Sequence, residues 1–361
     1  MITRPALQIH DERRQRPRVW AAAVIALTLL TAGLVPHKVS AGVDSAVGPF
    51  GPEGPRMREQ FWMVPSGETG RYLRATVFRP EEPDGAQAGV GRPRPLVIIN
   101  HGTAESTRMA VSMPVYYWLS RWFVDRGYIV VLPQRRGHGA TGGLLSEGVG
   151  NCANPDHYQS GQVAADDIAA VVSYFQTQPF VAQSDVVVAG ISTGGWASLA
   201  YSSRNPKGVK AVINFSGGRG GHAGGMPNAV CGEKRLIETA RRYGETSRVP
   251  SLWFYSNNDS YFGPELARSM AKAWNGSGGS AELHVLSAYG DEGHNIADDR
   301  AGWELWGNNL NSFLSSAGEP AVAGVDGQPP VPAQAQASQA STVASQAAFS
   351  PVGDANLIAP R

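Results

Sequence analysis

The fold is decided by the stretch Val186-Val187-Val188-Ala189-Gly190-Ile191-Ser192-Thr193-Gly194-Gly195-Trp196-Ala197. An apolar strand that runs directly into G-x-S-x-G and then into a helix is the setting of a nucleophile elbow, a strained turn that exposes a serine. Gly190 and Gly194 stand two residues before and after Ser192, where a Cβ atom would collide with the turn. We therefore predict that Ser192 is a nucleophile. The alternative is an ordinary structural turn, because the motif also arises by chance in a chain with 43 glycines.

A serine nucleophile requires a base, because its hydroxyl is a poor nucleophile at neutral pH. In a strand-turn-helix setting of this kind the chain order is serine, then acid, then histidine. His222, His284 and His294 follow Ser192. His284 falls inside a predicted strand and His222 precedes every plausible acid, whereas His294 lies in the loop between the last strand and the last helix. We predict His294 as the base, with a solvated loop histidine as the alternative.

The acid that orients the base is predicted to be Asp259, which follows an apolar run at the end of a strand. Asp291 and Glu292 precede His294 by only three and two residues, so their side chains would have to fold back to reach its ring. The alternative for Asp259 is an ordinary turn or N-cap aspartate before the helix near Pro264, since aspartate is favoured in both settings.

Acyl transfer also needs hydrogen-bond donors for the developing oxyanion. The backbone N–H of Thr193, directly after the nucleophile, is one candidate. The turn Ile99-Asn100-His101-Gly102-Thr103 after an apolar strand supplies the other, through the amide of Gly102 or Thr103, and we favour Thr103. A plain strand-ending turn is the alternative there.

Short β-rich runs alternate with helical patterns between about residues 59 and 316. An antiparallel start followed by β-α-β alternation predicts an α/β fold, with a mostly parallel central sheet, an antiparallel N-terminal hairpin and helices on both faces. The predicted strands are 61–64, 72–78, 96–100, 128–133, 186–191, 209–215, 252–256 and 281–286. The predicted helices are 114–125, 162–176, 194–203, 234–243, 264–274 and 301–314. The long irregular connection 137–159 is expected to shape the substrate site.

Together these residues resemble the α/β-hydrolase superfamily, and the segment 95–295 looks most like its dienelactone-hydrolase-related branch. The resemblance implies an α/β-hydrolase fold and ester or lactone hydrolysis through an acyl-enzyme, without a cofactor. Ser192 departs from that branch, whose members use a cysteine nucleophile, so dienelactone itself is not the expected substrate.

The run Gln134-Arg135-Arg136-Gly137-His138-Gly139 is similar to a segment of prolyl-oligopeptidase-type and cocaine-esterase-type relatives, in which it is chiefly structural. This similarity keeps a peptidase or amidase with the same catalytic residues as an alternative function. A catalytically silent binding protein is the alternative of another class, but it would not need Ser192, Asp259 and His294 together with the elbow glycines.

Two glycine-rich segments are not expected to bind cofactors. Residues 137–142 match G-x-G-x-x-G, but Gly, Asn and Pro follow where a dinucleotide site needs a helix. Residues 216–225 follow a strand, but no Gly-Lys-Ser/Thr occurs in the chain. We therefore expect no cofactor and no metal, and a small-molecule ester as the binding partner.

The two ends of the chain differ in composition from the middle. In residues 1–41 an arginine-rich segment, 13–18, precedes the uncharged run 19–35, and the segment ends in Val-Ser-Ala. This pattern predicts a signal peptide and export to the periplasm or outside the cell; an uncleaved membrane anchor is the alternative. Residues 42–58 are expected to form a loose lead-in and 59–316 the hydrolase domain. Residues 317–361 are rich in Ala, Gln, Ser and Pro, which predicts a disordered tail.

The cysteines and the charge balance limit what else the chain can do. Cys152 and Cys231 are the two cysteines of a chain predicted to be exported, which predicts a disulfide between them; two unpaired buried thiols are the alternative.

The charge of the chain is nearly balanced. With 31 basic and 30 acidic residues, it has no broad electrostatic field that would attract nucleic acid or an anionic membrane. The sequence does not define the oligomeric state or the acyl-chain preference.

Overall fold

The computed structural model describes residues 47–81, 92–103 and 105–319, with only the backbone for 105–107. The predicted signal peptide or anchor and all but the first three residues of the predicted tail lie outside these ranges. None of the helices within them is long and apolar enough to cross a bilayer.

A nine-stranded sheet forms the centre of the domain. Its strands lie in the order β1-β2-β3-β5-β4-β8-β9-β10-β11. β1, β2 and β3 pair antiparallel, β3 pairs antiparallel with β5, and every later neighbour pairs parallel. The strands are β1 Gly48–Phe50, β2 Gln60–Pro65, β3 Tyr72–Phe78, β4 Arg94–Asn100, β5 Ile129–Gln134, β8 Val181–Ile191, β9 Val209–Phe215, β10 Ser251–Ser256 and β11 Ala281–Leu286, and a separate small hairpin contains β6 Gly150–Asn151 and β7 Asn154–Pro155.

Six α-helices cover both faces of this sheet. One apolar cluster joins the sheet to α2, α3, α4 and α5, and a second joins its other face to α1 and α6. Burial on both faces is what a parallel sheet needs, and it explains the continuous apolar runs within β4, β5, β10 and the second half of β8. The helices are α1 Tyr117–Val124, α2 His157–Gln176, α3 Thr193–Ser202, α4 Glu233–Thr246, α5 Pro264–Gly276 and α6 Gly302–Ser316.

The strand register places the predicted site residues at one edge of the sheet. Ile191 at the end of β8 pairs with Phe215 at the end of β9, and Ser256 at the end of β10 pairs with Leu286 at the end of β11. The carboxyl ends of parallel strands therefore meet at this edge, which is where α/β sheets bind ligands.

The predicted architecture is confirmed, but the sequence missed three short strands and misplaced some element boundaries. β1 lies in the predicted loose lead-in and pairs antiparallel with β2, and β6 and β7 form a hairpin in the predicted irregular connection. Strands of two or three residues are too short to show an alternating pattern. α2 begins at His157 rather than at 162 because the Asp156 side chain caps it, accepting a hydrogen bond from the Gln159 N–H at 2.8 Å. α1 begins at Tyr117 rather than at 114 because Tyr116 has a left-handed backbone, with φ of 34° and ψ of 65°.

Candidate active site

Ser192 lies in a strained turn between β8 and α3. Its φ of 55° and ψ of −122° are outside the regions that non-glycine residues normally occupy. A Cβ atom on Gly190 would lie 2.2 Å from the Gly194 carbonyl oxygen, and one on Gly194 would lie 2.1 Å from the Asn100 carbonyl oxygen. The turn is therefore closed so tightly that only glycine fits at both positions. Strain of this kind persists only where the surrounding structure imposes it, and it is concentrated at functional sites.

His294 and Asp259 form a buried pair at the same edge of the sheet. Nδ1 of His294 lies 3.1 Å from each carboxylate oxygen of Asp259, and the two residues are 7% and 2% exposed. Asp259 follows β10, and His294 lies in a short 3-10 segment after β11. Since the carboxylate can only accept, Nδ1 carries the hydrogen, and the other ring nitrogen, Nε2, is left to act as a base.

The aspartate is held by more than the histidine. Its Oδ1 also accepts hydrogen bonds from the backbone N–H groups of Tyr261 at 2.8 Å and Phe262 at 3.0 Å. Burial by itself raises the pKa of Asp259, but the hydrogen bond and charge of His294 and the Phe262 amide outweigh burial and lower that pKa below its usual 3.8. Asp259 therefore fulfils both roles considered for it, as a turn aspartate and as a partner of the histidine.

Three successive contacts connect the serine turn to the histidine. The Gly218 N–H donates to the Ser192 carbonyl at 3.2 Å, which holds the loop after β9 against the elbow. A Cβ on Gly218 would lie 2.6 Å from the ring of Phe262, and that ring packs 5.6 Å from the His294 ring. Gly218 thus contacts both Ser192 and Phe262, and Phe262 packs against His294.

The predicted oxyanion turn lies directly beside Ser192. A Cβ atom on Gly102 would lie 3.0 Å from the Ser192 Cβ. The Gly102 N–H donates to the hydroxyl oxygen of Tyr116 at 3.2 Å. Thr103 follows Gly102, and its side-chain oxygen lies 2.8 Å from Nε2 of His138. Thr193 is the first residue of α3, where a backbone N–H has no partner within the helix.

Behind this turn lies a buried ion pair. The Arg135 guanidinium binds Glu147 at 2.8 and 3.1 Å and donates to the His101 carbonyl at 2.8 Å. Burial raises the pKa of Glu147, but the charge of Arg135 and its hydrogen bonds outweigh burial and lower it overall. Arg135 also lies 3.4 Å from the Thr193 hydroxyl. It therefore contacts both segments that carry the predicted oxyanion donors, the turn after β4 and the start of α3.

Several other predictions concern residues around the site. Cys152 and Cys231 form the predicted disulfide. Residues 137–142 contain only the one-turn 3-10 helix Gly139–Thr141, without the α-helix that a dinucleotide site requires. His284 lies in β11 and pairs with Glu282 at 2.6 Å, away from the pair formed by His294.

Three residues of the site were not singled out by the sequence. Tyr116 lies on the loop before α1, and its approach to Gly102 depends on its left-handed backbone, for which a tyrosine gives no signal. Tyr261 stacks on the His294 ring with centroids 4.4 Å apart, and His222 stacks on Tyr261 at 3.6 Å. Sequence order excludes His222 as the base, and its position on the Tyr261 ring depends on the loop after β9, for which the sequence gives no signal.

Comparison with protein families gives one match. The model of the prolyl oligopeptidase family matches residues 114–217, less than a third of the chain. This segment contains Ser192 and the buried Arg135 but neither Asp259 nor His294. No curated protein sequence matches the chain significantly.

Solved structures extend the comparison over most of the chain. A Mycobacterium tuberculosis puromycin-hydrolyzing peptidase aligns with a TM-score of 0.54 at 19% identity, covering 76% of this chain and 42% of the peptidase. Porphyromonas gingivalis dipeptidyl peptidase 4 aligns with a TM-score of 0.52 at 14% identity, covering 72% of this chain and 35% of that one. The chain has the α/β-hydrolase fold. It spans less than half the length of these two peptidases.

A third structure has a length like that of this domain. A presumed dienelactone hydrolase from Klebsiella pneumoniae subsp. pneumoniae aligns at 17% identity, covering 72% of this chain and 98% of that one, with a TM-score of 0.43. The comparisons confirm the predicted α/β-hydrolase fold.

Proposed function

We propose that this α/β-hydrolase-fold chain is an exported serine hydrolase that cleaves carboxylic esters or lactones through an acyl-enzyme. The observation that carries the proposal is the strained Ser192 elbow at the same sheet edge as the buried His294–Asp259 pair. A strained turn and a buried, oriented imidazole have a common explanation in nucleophilic catalysis.

In this mechanism Ser192 Oγ attacks the ester carbonyl carbon while His294 Nε2 takes the hydroxyl proton. Asp259 keeps the hydrogen on Nδ1 and stabilises the imidazolium that forms. The tetrahedral intermediate collapses as His294 returns its proton to the leaving alcohol, which leaves an acyl group on Ser192. Water, deprotonated by His294, then attacks the acyl carbon, and the carboxylic acid is released as the serine is reprotonated.

The developing oxyanion needs donors that are fixed in advance. Thr193 and Thr103 supply backbone N–H groups in our account. We add the Tyr116 hydroxyl, because it already accepts from Gly102 beside Ser192 and so has its own hydrogen to donate. The buried Arg135 holds the two donor segments in place, the turn after β4 through the His101 carbonyl and the start of α3 through the Thr193 hydroxyl.

A peptidase or amidase with the same residues is the second candidate. The prolyl oligopeptidase match over 114–217 and the two peptidase structures favour it. The same acyl-enzyme route serves both classes, since only the leaving group differs. A catalytically silent binding protein is the remaining candidate.

Export is part of the proposal and rests on the sequence of residues 1–41. The Cys152–Cys231 disulfide is compatible with it, because such bonds persist in oxidising compartments. A small-molecule ester is the proposed partner, and the long connection after Gly137 is proposed to line its site.

Hydrolysis of p-nitrophenyl acetate by the purified chain, with Ser192→Ala as the control, tests the proposal. We expect the parent to turn over the ester and the variant to retain only a small residual rate. Parallel assays on peptide anilides separate the candidates: faster cleavage of anilides would favour the peptidase, and no hydrolysis of either would favour the binding protein.

A further inference from the structure

The catalytic imidazole proposed above is one of three stacked aromatic rings. Tyr261 lies between His294 and His222, with ring centroids 4.4 Å and 3.6 Å away and interplanar angles of 27° and 8°. Both faces of the tyrosine ring are therefore occupied by imidazoles. Resting on the proposed function, we infer that His222 is a positioning residue that holds His294 in its working orientation through Tyr261.

A hydrogen-bond chain fixes the outer ring. Glu292 accepts a hydrogen bond from the Ser260 hydroxyl, whose oxygen lies 2.8 Å from Nε2 of His222. Because the hydroxyl has one hydrogen and the carboxylate has none to give, Ser260 accepts from His222. His222 therefore carries a hydrogen on Nε2, and its ring is fixed by this bond on one edge and by Tyr261 on one face.

The same carboxylate also anchors the catalytic loop. Oε1 of Glu292 accepts from the backbone N–H of His294 at 2.9 Å and of Ser260 at 3.1 Å. Glu292 thus binds the main chain of His294 directly and, through the Ser260 hydroxyl, the outer ring of His222. Asp259 controls which nitrogen of His294 carries the hydrogen, whereas the stack controls the plane of its ring.

Backbone hydrogen bonds and the disulfide anchor the loop that carries His222 to the rest of the fold, which fixes the position of the outer ring. The Asn228 N–H donates to the Ser260 carbonyl at 2.6 Å, and the Cys231 N–H donates to the Gly220 carbonyl at 2.8 Å. The disulfide to Cys152 ties the end of the loop to the small hairpin. His222 itself has a left-handed backbone, with φ of 56°, which is uncommon for residues other than glycine.

Substitution of His222 separates this role from a merely structural one. His222→Ala removes the ring, and His222→Asn removes it while suiting the left-handed backbone, so the second variant protects the test against misfolding. His222→Phe keeps a flat ring but loses the bond to Ser260. His284→Ala, on β11, is the matched control, because it removes a half-buried histidine outside the site.

With p-nitrophenyl acetate, we expect the Ala and Asn variants to lose about 10- to 100-fold in kcat at similar KM and melting temperature, since small misplacements of a reacting group cost this much. The Phe variant should retain more activity than either, and His284→Ala should match the parent. Parent-like kcat in both ringless variants, or a loss that only follows the fraction of unfolded protein, would overturn the inference. An inactive parent would instead contradict the proposed function.

Discussion

The hydroxyl oxygen of Tyr116 accepts a hydrogen bond from the backbone N–H of Gly102 at 3.2 Å. Within the described residues no acceptor for the hydroxyl's own hydrogen is found. Burial raises the pKa of Tyr116 to about 12, so the hydroxyl keeps its hydrogen throughout the neutral range. Since Gly102 is packed against Ser192, this hydrogen is available to a charge that develops beside the nucleophile.

Tyr116→Phe is therefore expected to lower kcat by about 100- to 1,000-fold, the usual loss for one oxyanion donor, with a smaller effect on KM. The phenylalanine ring can fill the same space, so the melting temperature should change little. Steady-state kinetics on a p-nitrophenyl ester measure the effect, with Tyr117→Phe at the neighbouring position as the control. Parent-like turnover in Tyr116→Phe would show that the Tyr116 hydroxyl is not an oxyanion donor.

Asp259→Asn tests the acid. The amide can present a hydrogen to Nδ1 and favours the wrong tautomer of His294, so we expect kcat to fall by about 10⁴ with the fold intact. Asp291→Asn, at an exposed position, should lose at most about tenfold, which corresponds to about 1.4 kcal/mol. An active Asp259→Asn together with an inactive Asp291→Asn would show that another carboxylate orients the base.

The elbow glycines are expected to be irreplaceable for steric reasons. In Gly190→Ala and Gly194→Ala the added methyl would meet backbone atoms at 2.2 and 2.1 Å, which side-chain movement cannot relieve. We predict a loss of about 3 kcal/mol or more in the free energy of unfolding, measured by chemical denaturation. Gly276→Ala is the matched control, because nothing lies within 4 Å of that added Cβ and its φ is ordinary. Equal stability of all three variants would contradict the tight turn.

The C-terminal end of the folded unit extends past the predicted boundary at Ser316. Glu319 is 4% exposed and accepts from the buried Tyr128 hydroxyl at 3.0 Å. Ending the chain after Ser316 should therefore cost about 1–3 kcal/mol, because Tyr128 loses its partner. A chain that ends after Pro320 keeps the contact and should be more stable. Thermal melts of the two truncated forms check this, and equal melting temperatures would show that the contact contributes nothing.

The same contact predicts a dependence of stability on pH. Burial, with a contribution from the charge of Asp185, raises the pKa of Glu319 to about 7, although the hydrogen bond from Tyr128 opposes this. Because the folded pKa exceeds the ordinary 4.5, the contribution to stability is fully present at low pH and is lost as pH rises from about 4.5 through about 7. Glu319→Gln still accepts from Tyr128 but does not titrate. The melting temperature of Glu319→Gln minus that of the parent should therefore increase as pH rises from about 4.5 to about 7. A difference that does not change with pH would refute the raised pKa of Glu319.

The strands and the elbow were predictable from sequence because their signals are local. The run from Val186 to Ala197 contains its own strand, turn and helix start, and Asp259 and His294 could be ranked by chain order and by their positions after predicted strands. Contacts made by loops had no such signal. Tyr116 reaches Gly102 through a rare backbone conformation, and Tyr128 meets Glu319 across 191 positions of sequence. Neither contact is encoded by a periodic pattern of residues.

Covalent labelling tests the central claim, that Ser192 is the nucleophile, most directly. A fluorophosphonate reacts preferentially with an activated serine and leaves a stable adduct, which peptide mass spectrometry can locate. We predict one adduct, on the peptide that contains Ser192, and none on the folded Ser192→Ala variant. An adduct on another residue, or equal labelling of parent and variant, would contradict the account.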